Sequence, residues 1–381
     1  MRVGIALLAA ALIGAAPANA AVLYEVTDLG TLGGSSSGAA GINASGWVTG
    51  YSSLVGDTVS HAFLYDGSKM KDLGSLGSGE SAGSAINNSG QVTGRSDTGD
   101  GRTEAFLYDG TKMAGLGTLG GSFSNGIGIN DAGEVTGFSN TVGDNTGHAF
   151  LYDGTKMTDL NPLGGFTSFG NGINASGQVT GGTTYSAGQR AFLYDGASTI
   201  DIGTLGGDYY TEGFAINASG QITGTSNIGT FDASGFPLYH AFLFDGSKMI
   251  DLGTLEGKAD SVGWAINDLG QVVGYSLPGS SQFFDAHAFI YDGTSIVDLN
   301  DLIDPQAGWL LNIGRGINDR GQIVGEGTRD GFHIRAFLLT PLSTGAVPEP
   351  AAWAMMIVGF GMIGGMVRRK SNAEGRRGHI R

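Results

Sequence analysis

Four histidines, His61, His148, His240 and His287, each stand immediately before an Ala-Phe dipeptide, and histidine is the side chain best suited to move a proton or hold a metal near neutral pH. Their spacing argues against both. They occupy the same place in successive copies of one segment, so a repeat architecture sets them on different units, too far apart to share an ion. A hydrogen-bonded structural role is expected. The aspartates of the Asp-Gly pairs, Asp66, Asp109 and Asp153 among them, are turn formers. The chain has no cysteine, which excludes thiol catalysis, zinc-thiolate centres and disulfides. No Ser/His/Asp order, phosphate loop or metal-ligand cluster stands out, and no catalytic residue, cofactor or metal is expected. Two readings stay open. A glycosidase-type acid pair is defined by separation in space rather than along the chain, and a divalent cation could sit on the acidic loops around Asp208, Glu212, Asp232 and Asp285.

Aromatic side chains make the stronger case, and the chemistry they offer is binding. Tyr209, Tyr210, Phe231, Phe236, Tyr239, Phe283 and Phe284 lie in irregular stretches where no strand pattern calls for them. One further position varies freely, two residues before a recurring isoleucine: Asn171, Phe214, Trp264 and Arg315. Sugar rings stack on aromatics and protein partners use them as anchors. The expected ligand set is Tyr209, Tyr210, Phe214, Trp264, Phe283, Phe284 and Arg315.

What must position these residues is a repeat. Seven Ile-Asn turns place asparagines at Asn43, Asn87, Asn130, Asn174, Asn217, Asn267 and Asn318, spaced by 44, 43, 44, 43, 50 and 51 residues. A period of about 40 to 50 residues with strand-like content reads as a propeller or solenoid. Each copy carries four strand signals, a to d. Strand a is Gly/Ala-rich and ends in Ile-Asn; b is Val-x-Gly or Ile-x-Gly; c is of the Ala-Phe-Leu-Tyr type; d is of the Lys-Met-x-Asp-Leu type. Asn-x-x-Gly joins a to b, and Asp-Gly joins c to d, both favouring tight hairpins. The Asn-x-Ser sequences at Asn43, Asn87, Asn174 and Asn217 are explained by that turn. In strand c both faces are apolar, so each sheet needs cover on both sides, which stacked propeller blades provide.

The ends of the array argue for closure. A lone strand d, Tyr24 to Leu29, precedes the first copy, and the last copy stops after its strand c at Ala336 to Leu339. An open solenoid would leave both as exposed edges; in a ring the N-terminal strand completes the last blade. The expected fold is all-β, a seven-bladed propeller of four-stranded blades over residues 21–341. Antiparallel pairing then puts the variable b-c and d-a connections on one face, which is the expected binding face.

Both termini carry transport signals. Residues 1–20 read as a signal peptide, with Arg2, an apolar core and Ala18-Asn19-Ala20 before a cleavage between Ala20 and Ala21. At the other end a linker with Pro348-Glu349-Pro350 spans 342–350, an apolar segment runs over 351–367, and a basic tail over 368–381 opens with Arg368-Arg369-Lys370. Seventeen helical residues reach about 25 Å, short of a hydrocarbon core of about 30 Å but workable as a transmembrane helix with local thinning, the basic cluster staying cytoplasmic. The order Pro348, Glu349, Pro350, Trp353, apolar stretch, basic cluster closely resembles the PEP-CTERM sorting signals of Gram-negative bacteria, in the PEPxxWA variant. That resemblance implies an exosortase as partner, transient membrane anchoring, and hosts that make exopolysaccharide. The tripeptide at His61-Ala62-Phe63 and its copies resembles the bacterial extracellular HAF-repeat family, for which no activity is implied. Glu104, Arg190 and Arg335 replace the histidine in three copies.

Without Arg2 and the last 35 residues the chain has 13 basic and 33 acidic residues, about −20 in charge. Such a body repels nucleic acid. The expectation is an exported envelope or extracellular-matrix protein of the biofilm type, a non-catalytic binding or scaffold module for exopolysaccharide or envelope proteins. The alternative is a propeller carbohydrate-active enzyme, a hydrolase or lyase with acids on the b-c/d-a face.

Overall fold

The computed structural model describes residues 23–278, 285–329 and 331–342. The chain divides into a body, Met1–Pro341, and a C-terminal unit, Leu342–Arg381. The expected signal peptide and cleavage pair Ala20-Ala21, the PEP motif with Trp353, and the apolar segment 351–367 all lie outside the described residues. Among the described residues no helix is long and apolar enough to cross a membrane.

The body is almost entirely β. Its first sheet orders Gly33–Ile42, Val48–Leu54, Ser60–Tyr65 and Met70–Asp72 side by side, the expected a, b, c and d. The same antiparallel a-b-c-d order recurs in every copy. Between the second and third copies one parallel pair, Thr103 with Phe123, links the sheets into one. The third strands are the heart of each sheet: Phe63, Phe106, Phe150, Phe192, Phe242, Phe289 and Phe337 are all wholly buried, as the two-sided apolar pattern requires. Each packs between its own sheet and a neighbour, so the core is a series of inter-sheet clusters.

Small residues in the inner strands answer to a specific neighbour. A Cβ on Gly83 would stand 2.3 Å from Thr49 Oγ1 of the preceding sheet, and one on Gly213 would stand 2.3 Å from Thr180 Oγ1. Those threonines are spent inside their own sheets, Thr49 Oγ1 donating to the Phe63 carbonyl at 2.7 Å. Packing this close leaves no room for a methyl group. Serines tie the sheets together as well: Ala62 N donates to Ser81 Oγ at 2.9 Å, and Ala105 N to Ser124 Oγ at 2.8 Å.

The two ends of the body meet. Tyr24–Asp28 pairs antiparallel with Ile334–Pro341, in register from Tyr24 opposite Pro341 to Asp28 opposite Phe337. Across the seam Ala336 N donates to Ser37 Oγ at 3.1 Å, repeating the serine link of the interior. The asparagines make the same point around the axis. Each Nδ2 donates to the backbone carbonyl of the next copy's asparagine, from Asn43 to Asn87 at 3.1 Å onward, and Asn318 Nδ2 returns to the Asn43 carbonyl at 3.0 Å. Each Oδ1 meanwhile accepts backbone N–H groups of its own turn, as Asn87 does from Ser89 and Gln91. One residue type thus shapes every a-b turn and stitches it to its neighbour. Four-stranded sheets set around a central channel are a β-propeller.

Candidate functional site

The histidines occupy the junction of the third and fourth strands, one to a sheet. His61 Nδ1 lies 2.9 Å from an Asp72 carboxylate oxygen, His148 Nδ1 2.8 Å from Asp159, His240 Nδ1 2.9 Å from Asp251 and His287 Nδ1 2.6 Å from Asp298. Where arginine replaces histidine the aspartate remains, with Arg335 3.3 Å from Asp28 and Arg190 4.0 Å from Asp201. Where glutamate replaces it, at Glu104, the facing residue is Gly115, and the carboxylate fills the space a Cβ there would need. These pairs hold the outer strand, as the sequence implied. Among the described residues no group of three or more His, Asp or Glu is placed to hold a metal ion.

The loop aromatics divide. Tyr209 is 60% exposed and meets Phe231, 51% exposed, edge to face at 6.2 Å, with Phe236 59% exposed on the same hairpin. Tyr209 and Phe231 form an open apolar pair. Two expectations need correction here. Phe231 ends one strand, Ile222–Phe231, and Tyr239 belongs to its partner, Pro237–Phe244, so a long hairpin rather than a loop carries them. Tyr210 is not displayed but half-buried: it packs edge to face on Tyr239 at 5.9 Å and donates its hydroxyl to Glu212. Burial, then the Glu212 charge, holds that phenol far above the ordinary tyrosine value. Glu212 is itself buried within Thr211–Ile216 and accepts from Asn171 Nδ2 at 2.8 Å, so it does not belong to an acidic surface. Asp208, by contrast, is exposed and pairs with Arg190 at 3.2 Å. Phe283 and Phe284 lie outside the described residues.

Phe214, Trp264 and Arg315 are brought together, though not on the loops. Occupying the same register position on adjacent inner strands, they line the central channel. Phe214 stacks on Trp264 with centroids 4.9 Å apart and planes 16° from parallel, and the Arg315 guanidinium lies 4.2 Å from the centroid of the Trp264 ring. Ring faces offered by sequence to a ligand are therefore partly spent on each other, a cation-π contact closing the row. Arg315 Nε also lies 3.6 Å from Glu326 Oε1. Sequence reasoning missed Glu326 and its neighbour Tyr51, which share this cavity of about 520 Å³. Burial pushes the Glu326 carboxyl up, opposed by the charge of Arg315. Tyr51 is pushed up to about 12, first by burial and then by the Glu326 charge.

Fold and channel together define an all-β propeller with an exposed aromatic hairpin and a polar-aromatic cavity. Residues 346–370 match the PEP-CTERM protein-sorting motif, which marks the chain as an exported, envelope-associated protein of Gram-negative type and a substrate for exosortase. Among solved structures the chain is similar to the β-propeller domain of the Trilobed protease from Pyrococcus furiosus, with TM-score 0.42 and 10% identity over 67% of this chain and 80% of that one. It is also similar to YCF48 bound to D1 peptide, with TM-score 0.46 and 12% identity over 84% of this chain and 97% of that one. No curated protein matches it.

Proposed function

We propose that the body is a closed seven-bladed propeller of the HAF-repeat type, exported, held at the membrane by its apolar C-terminal segment, released by an exosortase, and retained at the cell surface or in the matrix as a non-catalytic binding module. The observation that carries the binding role is Tyr209, in a d-a connection, meeting Phe231 of a b-c hairpin that also carries exposed Phe236, large apolar rings turned to solvent. Isolated exposed apolar residues are ordinary; a packed pair of exposed aromatics with a third exposed ring on the same hairpin is the composition of a recognition patch. Exopolysaccharide or an envelope protein is the partner class, since the body's charge of about −20 disfavours nucleic acid.

The mature protein from an exosortase-bearing host, sedimented with the host's isolated exopolysaccharide or envelope, tests this. Tyr209→Ala and Phe231→Ala should each weaken association by about 1 to 3 kcal/mol, the range of one aromatic contact with its buried area. Association indifferent to both rings but lost on adding a chelator would instead assign contact to a cation held by Asp208, Asp232 and Asp285.

A further inference from the structure

Inner strands of the body are close copies, and the first departs from the rest at two adjacent positions: Ala39 stands where every other copy has glycine, and glycine stands at the position before it. Where later copies have Ala82, Asn125, Phe169, Glu212, Val262 and Ile313, the first has Gly38. A Cβ there would stand 2.5 Å from Tyr51 Cε1 and 2.8 Å from Glu326 Oε1, closer than carbon approaches either atom. Glycine at this point opens a window in the channel wall. Through it pass Tyr51 and Glu326, side chains of second strands that in the other sheets stay behind the inner strand: among the described residues, Arg95, Phe138, Gly182, Thr225 and Tyr275 stand at the matching positions and do not line the cavity.

The window makes the cavity polar on one side. Glu326, its side chain 16% exposed, has Arg315 as its ion partner at 3.6 Å, too far for a hydrogen bond. Asn125, which lines the same cavity, has its Oδ1 buried without a hydrogen-bond partner. Trp264 and Phe214 supply an apolar wall, while Ala40 and Ser84 are small enough to leave space. Enclosed carboxylate, amide oxygen and phenol cost free energy unless something returns their hydrogen bonds. A molecule whose hydroxyls each donate and accept, with apolar C–H edges, meets every one of these groups. An anion does not: Arg315 is already balanced by Glu326, and the body is strongly negative.

We propose that the channel, with Tyr51, Glu326 and Arg315 at the seam, Trp264 beside them and Asn125 contributed by the third sheet, binds one neutral hexose-sized sugar unit, either free or at the end of a glycan chain. This site is separate from the exposed hairpin and stands or falls independently of it.

Isothermal titration of the mature protein with D-glucose, D-galactose, D-mannose and N-acetyl-D-glucosamine, with D-glucuronate as the charged counterpart, tests the assignment. At least one neutral sugar should saturate a single site, and glucuronate should bind about tenfold weaker or not at all. Glu326→Gln, nearly isosteric and so expected to keep the fold, should weaken binding about tenfold; Tyr51→Phe should do so several-fold. Gly38→Ala should abolish it by closing the window, and Lys112→Ala, on a remote turn, should leave it unchanged. The methyl glycoside binding as well as the free sugar would identify a non-reducing chain end as the ligand, and loss of binding on methylation would identify the free sugar. Absence of binding by all four neutral sugars, preference for glucuronate, or an unchanged dissociation constant in a folded Glu326→Gln protein would each overturn the proposal. Sedimentation with envelope material reads the hairpin and sugar titration reads the channel, so either can fail alone.

Discussion

Closure of the ring predicts that an asparagine at the seam matters as much as one in the interior. Asn318 and Asn174 are equally well placed to compare. Asn318 Nδ2 donates to the Asn43 carbonyl and to Gln322 Oε1, both at 3.0 Å, and its Oδ1 accepts from Arg320 N and Gln322 N at 3.1 and 3.0 Å. Asn174 makes the same four bonds, to the Asn217 carbonyl, Gln178 Oε1, Ser176 N and Gln178 N. Both are buried. At about 1 kcal/mol net per bond, with more where a buried partner is left unpaired, Asn318→Ala and Asn174→Ala should each cost about 3 to 5 kcal/mol. Asn43→Ala should cost about 1 kcal/mol less, because Trp47 stands where the other copies have Gln or Glu and Asn43 makes three such bonds. Urea unfolding followed by tryptophan fluorescence measures all three, and at a slope of about 3 kcal/mol/M the larger losses shift the midpoint by about 1 M or more. In an open array the Asn318–Asn43 bond would be a frayed end. A loss at Asn318 well below that at Asn174, with equal slopes, would refute closure.

Three further outcomes can be checked. Glu326 has its carboxyl raised above the ordinary value of 4.5, so it favours folding while protonated and this contribution disappears as pH rises from about 4.5 through the raised value. Thermal scans between about pH 4 and 7 should therefore show Glu326→Gln gaining stability relative to the wild type as pH rises; a variant that loses ground to the wild type as pH rises would contradict the desolvation of that carboxylate. Tyr209→Ala should change stability by less than about 0.5 kcal/mol while Tyr210→Ala costs about 2 to 4 kcal/mol, because it removes buried ring area and leaves the buried Glu212 without its hydroxyl partner; equal effects would mean the two rings are not differently placed. Replacing Pro348, Glu349 and Pro350 should leave the full-length chain in the membrane fraction of an exosortase-bearing host, whereas the native chain loses its tail, and mass spectrometry finding Arg381 on the mature native protein would count against processing.

The scaffold was largely legible because its rules are local or periodic. Asn-x-x-Gly, Asp-Gly and a two-sided apolar strand c fix hairpins and burial within a few residues, and the spacing of seven asparagines carries the rest. Even the seam could be read, since an orphan strand d at Tyr24 and a missing one after Leu339 complement each other. Burial of Tyr210, Tyr239 and Glu212 was not legible. Nothing near Tyr210 in sequence distinguishes it from Tyr209; the difference comes from Tyr239, on a hairpin whose glycines and Pro237 imitate a loop, and from Glu212, which Asn171 of the neighbouring sheet holds in place. The Phe214–Trp264–Arg315 row lay within reach, because residues two before the isoleucine in consecutive copies must be neighbours around the axis. Tyr51 and Glu326 were not, because their meeting depends on closure and on the absence of one Cβ at Gly38.

Internal repeats serve as an alignment of the chain against itself, and the way copies depart from one another separates architecture from function. Structural departures come with a partner that restores the lost contact. Glu104 replaces histidine and Gly115 replaces the facing aspartate, removing the repulsion two carboxylates would suffer; Arg190 and Arg335 keep their aspartates because arginine, like histidine, offers an N–H to the carboxylate. Departures around the channel compensate only in part: Gly38 makes room for Tyr51 and Glu326, and Arg315 faces Glu326 without a hydrogen bond. Gly38, Tyr51, Glu326 and Arg315 together leave a largely desolvated carboxylate with a long ion pair, an open wall and a raised carboxyl pKa, conditions that cost stability and that a simple copy of a neighbouring sheet, with alanine or isoleucine at the window, would have avoided. Packing accounts for Gly38 but not for the unmet hydrogen bonds of Glu326 and Asn125, which the proposed sugar would complete.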